Sequence, residues 1–171
     1  RLENACFFVL AHTGLRASEC VDLQVGDLDL NGGRLTVRQG KGQRDRVVYL
    51  SEVAQQSLAD YLRTTPGPLT EALWLRPSGQ AITYHWLLEH IARLGEAAEV
   101  AEVTPHRLRH TLATRLLNAG MDITRIQKLL GHDQISTTMI YARVWDATVE
   151  ADYRQAMRQI ERRQMPLSGT P

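Results

Sequence analysis

Thr104-Pro105-His106-Arg107-Leu108-Arg109-His110-Thr111-Leu112 decides how the chain is read. A threonine before a proline is a strong helix start, with Thr104 as N-cap and Pro105 at the first helical position. Leu108, Leu112 and Leu116 then recur four apart, a row that can bury against a core. His106 and Arg109 are three apart and so share a face near the first turn, where free backbone N–H groups and the helix dipole favour an anion. The helix is expected to stop near Gly120. Asp122 then caps a second helix ending at Gly131-His132, Ser136 or Thr137 starts a third carrying Tyr141, and a last one runs from about residue 146 to 163.

Upstream the texture alternates. Residues 2–13 read as an apolar helix closed by Gly14, and a short helix follows over about 17–23. Asp27-Leu-Asp-Leu30, Arg34-Leu-Thr-Val-Arg38 and Arg46-Val-Val-Tyr-Leu50 are short runs separated by Asn31-Gly32-Gly33 and Gly40-Lys41-Gly42. That is the pattern of a small antiparallel sheet with hairpin turns. Ser51 caps a helix of about a dozen residues, residues 64–70 form a Pro/Gly loop, and Trp86, Leu87, His90, Ile91 and Leu94 mark a helix over about 83–98. The expected fold is mixed and mostly α: a helical domain carrying one small antiparallel three-stranded sheet.

At 171 residues the chain suits one domain with a sizeable core. A net charge of +1 does not announce a nucleic-acid partner, so any such surface must come from local clusters. Two exist: Arg34, Arg38, Lys41, Arg44 and Arg46 in one stretch, and Arg154, Arg158, Arg162 and Arg163 near the C-terminus. A basic run is also compatible with a plain solvated face. Cys6 and Cys20 sit in apolar segments, as small buried hydrophobes of a reducing, cytoplasmic compartment. No signal peptide is visible, and no apolar run approaches the roughly 20 residues of a membrane span. The chain begins at Arg1 inside a helical pattern without an initiator Met, which suggests a domain cut from a longer protein.

The chemistry-bearing residues admit two readings each. His106 and Arg109 can hold a phosphate or simply make a polar first turn. His106 and His110 have a metal-ligand spacing, but Arg107 and Arg109 beside them argue against a cation site, and His110 reads as structural. His132 after Gly131 suits a helix-end contact, and Tyr141 alone suits a half-buried core position. A free tyrosine has a pKa near 10, so at pH 7 only about one in 10³ is ionised and a nucleophilic role needs a base or positive field. Arg16, three residues before Glu19, is either a surface ion pair or a phosphate clamp oriented by that carboxylate. Lys41, between two glycines on a hairpin tip, is either a bare turn lysine or a general acid delivered into a site.

Taken together, Thr-Gly-Leu-Arg16-Ala-Ser-Glu19, Gly-Lys41-Gly, Pro-His106-Arg-Leu-Arg109-His, Leu-Leu-Gly-His132 and Ser-Thr-Thr-Met-Ile-Tyr141 resemble the tyrosine site-specific recombinases, the phage-integrase family. The resemblance runs from residue 1 to about 145, with the motifs in order. It implies that Arg16 and Arg109 bind the non-bridging oxygens of a scissile phosphate, that Lys41 protonates the leaving 5′-hydroxyl, and that His106 and His132 support proton transfer. Tyr141 would be the nucleophile that forms a 3′-phosphotyrosyl link, with Glu19 in support and neither cofactor nor metal required. It also implies double-stranded DNA as partner, a monomer without DNA and a homotetramer on two sites. Arg34, Arg38, Arg44 and Arg46 would meet the DNA backbone, residues 146–171 would form a possible protomer-exchange segment, and the N-terminal core-binding domain usual in the family would be absent. Two other readings stay open: a type IB topoisomerase-like relaxing enzyme, and a DNA-binding regulator that keeps the fold without activity.

Overall fold

The computed structural model describes residues 1–38, 45–65 and 70–131. Helix α1 (Leu2–Thr13) is the centre of the fold. Its Ala5, Cys6, Val9 and Leu10 are all at most 1% exposed, and it packs against α3 (Glu52–Leu62), α4 (Tyr84–Ala97) and α5 (Pro105–Asn118). Each fully buried Leu or Val in such a core contributes about 1.5–3 kcal/mol relative to exposure. Gly14, with φ 67, ends α1 and donates its N–H to Leu10 O. A side chain there would be strained twice over, because a Cβ would lie 2.4 Å from Leu130 Cδ2.

The chain then enters the short helix α2 (Ala17–Val21) and a 3-10 turn, Val25–Asp27. Asp27 therefore closes a turn instead of opening a strand: its carboxylate accepts from Gln24 N at 2.9 Å. The sheet is β1 (Leu28–Asp29), β2 (Arg34–Val37) and β3 (Arg46–Tyr49), antiparallel in that order. Its register sets Leu35 opposite Val48 and Val37 opposite Arg46. Leu35, Val37 and Val48 are buried while Val47 and Tyr49 are exposed, so one face meets the core and Arg46 lies on that face.

Ser51 caps α3 by accepting from Ala54 N. Beyond α3 the chain returns past α2: Leu73 N donates to Leu23 O, and Trp74, 1% exposed, donates its indole N–H to Cys20 O at 2.7 Å. The buried Tyr61 hydroxyl is satisfied by Leu73 O and by the N–H of Leu75. Burial raises both thiols, Cys20 to about 12, which keeps them protonated at neutral pH.

Helix α5 has its expected cap, Thr104 Oγ1 accepting from Arg107 N. Its fully buried row, however, is Pro105, Arg109, Ala113 and Leu117, whereas Leu108, Leu112 and Leu116 are only half-buried. The leucine row expected to carry the core contact is thus the flank, and an arginine occupies the row itself. Helix α6 (Ile123–Leu130) starts at Asp122, which accepts from Thr124 N at 2.8 Å, and ends at Gly131 with φ 69. Among the described residues no helix is long and apolar enough to cross a membrane, and no group of three His, Cys, Asp or Glu could hold a metal ion.

Candidate active site

The last carbonyls of a helix have no partner inside it and form the negative end of its dipole. At the end of α6 three successive carbonyls each receive a guanidinium, and each guanidinium comes from a different element. Arg46 of β3 donates Nε to Leu129 O at 3.2 Å, Arg109 of α5 donates Nη2 to Leu130 O at 2.8 Å, and Arg16, the residue before α2, donates Nη2 to Gly131 O at 2.9 Å. Arg109 also donates Nη1 to Gly14 O, which ties the end of α1 to the end of α6. Gly14 and Gly131 make this approach possible: a Cβ on Gly131 would lie 2.9 Å from Arg46 Cζ.

Glu19 organises two of the three arginines. It accepts from the backbone N–H of Arg16 at 2.7 Å and from Arg16 Nη1 at 3.0 Å. Arg46 grips it as a fork, Nη1 on Oε1 at 2.8 Å and Nη2 on Oε2 at 2.7 Å. Burial pushes the Glu19 carboxyl upward, but the hydrogen bonds from Arg46 and the Arg16 amide, with the charge of Arg46, outweigh it and bring the pKa down to about 2. The side chains of Arg46 and Glu19 are 10% and 12% exposed, whereas that of Arg16 is 46% exposed. Arg16 is therefore the member of this group that faces outward, and Arg109, 7% exposed, lies beneath.

Of the residues singled out in the sequence, the fold brings Arg16, Glu19 and Arg109 together from α1–α2 and α5. His106 is exposed on the first turn of α5. Lys41, Arg44, His132 and Tyr141 lie outside the described residues, as do the Tyr141 helix and residues 146–171. The basic stretch divides. Arg34 and Arg38 are more than half exposed, the first 3.6 Å from Asp29 and the second bonded to Asp27 at 2.6 Å. Arg46, expected beside them on a DNA-facing surface, is instead an internal residue. The cause is strand alternation: Arg46 shares a face with Val48, which is fully buried. That period-two signal was present in Arg46-Val-Val-Tyr49 and would have found it.

The arrangement can present preorganised positive charge to an anion while keeping one carboxylate ionised beneath it. Residues 2–148 match the Phage integrase family, and the chain belongs to that family. It is 37% identical over 150 residues to the tyrosine recombinase XerC of Lactobacillus leichmannii, an alignment covering 84% of this chain and 50% of that protein. The fold is similar to the crystal structure of XerA recombinase, with TM-score 0.76 and 34% identity over 91% of this chain and 56% of that one. It also resembles the XerH site-specific recombinase bound to a palindromic difH substrate in a post-cleavage complex, with TM-score 0.72, 27% identity and coverage of 88% and 44%. The chain spans about half the length of the curated relative it matches.

Proposed function

We propose that this chain is the catalytic part of a site-specific DNA recombinase that cuts and rejoins strands through a 3′-phosphotyrosyl intermediate. The observation that carries the reading is the meeting of Arg16 and Arg109 on adjacent carbonyls at the end of α6. Two guanidiniums fixed this way suit the charge that builds on phosphate oxygens in the transition state, where loss of one such donor typically costs about 10²–10³ in rate. Tyr141 Oη attacks phosphorus, its proton passing to His106 or His132. The bond to the 5′ oxygen breaks, and Lys41 protonates that oxygen as it leaves. A second 5′-hydroxyl reverses the step, so the bond energy is kept and neither nucleotide nor metal is consumed.

Residues 1–145 form the catalytic domain in this reading, and residues 146–171 a segment that packs on a neighbouring protomer. The protein is a monomer without DNA and a tetramer on two duplexes, acting on cytoplasmic DNA. Family membership supports the chemistry, and the DNA complex of the similar XerH supports duplex DNA as partner. Arg34, Arg38 and Arg44 meet phosphates and give affinity without sequence choice.

The test is covalent trapping. The protein is incubated in EDTA with a randomised pool of duplexes nicked or carrying bridging phosphorothiolates, and denaturant-stable adducts are recovered and sequenced. Adducts that vanish in Tyr141→Phe, and that share a sequence, are the expected result. A protein that binds duplex DNA yet leaves no adduct would instead be a DNA-binding regulator.

A further inference from the structure

We propose that Arg46 is a positioning residue for this reaction, acting through Glu19 on the outward-facing Arg16. The assignment rests on the strand-transfer reading above. Its basis is a closed circuit of hydrogen bonds: Arg46 to both oxygens of Glu19, Glu19 to the amide and Nη1 of Arg16, Arg16 to Gly131 O, and the end of α6 back to Arg46 through Leu129 O. Every junction is 2.7–3.2 Å long, and three elements far apart in sequence are locked into one unit.

The division of labour follows from exposure. Arg46 commits all three guanidinium nitrogens to Leu129 O and the two Glu19 oxygens, while Arg16 has nearly half of its side chain open. A carboxylate left alone with Arg16 would turn to pair with it as a fork, drawing the guanidinium inward and neutralising it. Because Arg46 already occupies both oxygens in fork geometry, Glu19 is left to hold Arg16 by one Nη1 contact and the backbone amide. Lysine has the charge of Arg46 but not the three donors in one plane that reach two carboxylate oxygens and a carbonyl together.

The experiment is single-turnover cleavage of a duplex recovered from the covalent selection. The scissile position carries a phosphodiester in one series and a methylphosphonate, which has one negative charge fewer, in the other. Wild type, Arg46→Met, Arg46→Lys, Arg16→Ala and the Arg16→Ala/Arg46→Met double variant are compared. Arg46→Met is expected to cleave the phosphodiester about 10²-fold more slowly, as for loss of one preorganised donor, with duplex affinity within about threefold. The double variant should be no more than about threefold slower than Arg16→Ala alone, since the two residues act as one unit. On the methylphosphonate both single variants should lose less, because the charge that Arg16 offsets has gone.

Wild-type rates in the Arg46 variants would overturn the assignment. So would losses from Arg46 and Arg16 that multiply, which would mark Arg46 as a general stabilising residue. If Arg46→Met melts below the assay temperature, Arg46→Lys is read by the same criteria with an Arg16→Ala/Arg46→Lys partner. A wild-type protein that leaves no adduct at all overturns the strand-transfer reading itself, a failure distinct from an Arg46 variant that cleaves normally.

Discussion

The sheet and the end of α6 use the same side chain for opposite purposes. Arg34 and Arg38 on β2 and its end keep more than half of their surface in solvent, and each touches a single carboxylate. Arg46 and Arg109 are about nine-tenths enclosed and bond backbone carbonyls that no helix residue can satisfy. Arg34 can trade Asp29 for a phosphate at little cost, because surface ion pairs are worth about 0–1 kcal/mol, whereas Arg38 would leave the buried Asp27 carboxylate behind. The enclosed pair cannot leave without stranding buried acceptors or a buried charge. In the proposed function, affinity for a polyanion and the architecture of the reaction site thus fall to different arginines.

The sharpest break in this comparison is Arg109→Met. It removes two charge-assisted hydrogen bonds worth about 1.5–3 kcal/mol each and strands Gly14 O and Leu130 O. Urea unfolding should show a loss of about 3–5 kcal/mol, and melting should fall by about 10 °C at roughly 2–4 °C per kcal/mol. Gly14→Ala comes next, since it combines a left-handed backbone with a Cβ 2.4 Å from Leu130. A loss of about 2–4 kcal/mol in the same measurement is expected.

Glu19 tests the enclosed network by pH. Its folded pKa, about 2, lies below its ordinary 4.5, so its ionisation contributes stability above pH 4.5 that drains away as pH falls toward 2. Glu19→Gln should remove that part of the acid slope, on the order of 2 kcal/mol, when unfolding is followed between pH 5 and pH 2. An unchanged slope would mean that the carboxylate is not held as described.

Arg34, whose partner Asp29 is itself exposed, should give the smallest stability effect, and both exposed arginines a clear ionic signature. Arg34→Ala should change unfolding free energy by less than about 0.5 kcal/mol. For Arg34→Ala and Arg38→Ala, the slope of log affinity for duplex DNA against log salt should each become shallower by about 1. An Arg34 variant that unfolds easily, or leaves the salt slope alone, would erase the contrast.

Most element boundaries were legible, because their signals are local. Gly14 and Gly131 close helices, Thr104-Pro105 and Asp122 open them, and the alternation in residues 34–37 and 46–49 is carried by adjacent side chains. Three positions depart from the local signals: Asp27 closes a turn instead of opening β1, Arg109 lies in the buried row of α5, and Arg46 faces the core. In α5 the half-buried Leu108, Leu112 and Leu116 flank that row, and in β3 the charge of Arg46 masks its alternation with Val48.

The sequence by itself determined the helical and strand segments, the family motifs and the candidates Arg16, Glu19, His106 and Arg109, because caps, turns and periodicities depend on residues a few positions apart. Only the tertiary structure decided which arginine faces out and which is spent inside. That choice depends on the end of α6 meeting the end of α1, the start of α2 and the first residue of β3. Burial is a property of that meeting: the same guanidinium is a ligand for solvent anions where it is exposed and a cap for helix carbonyls where it is enclosed.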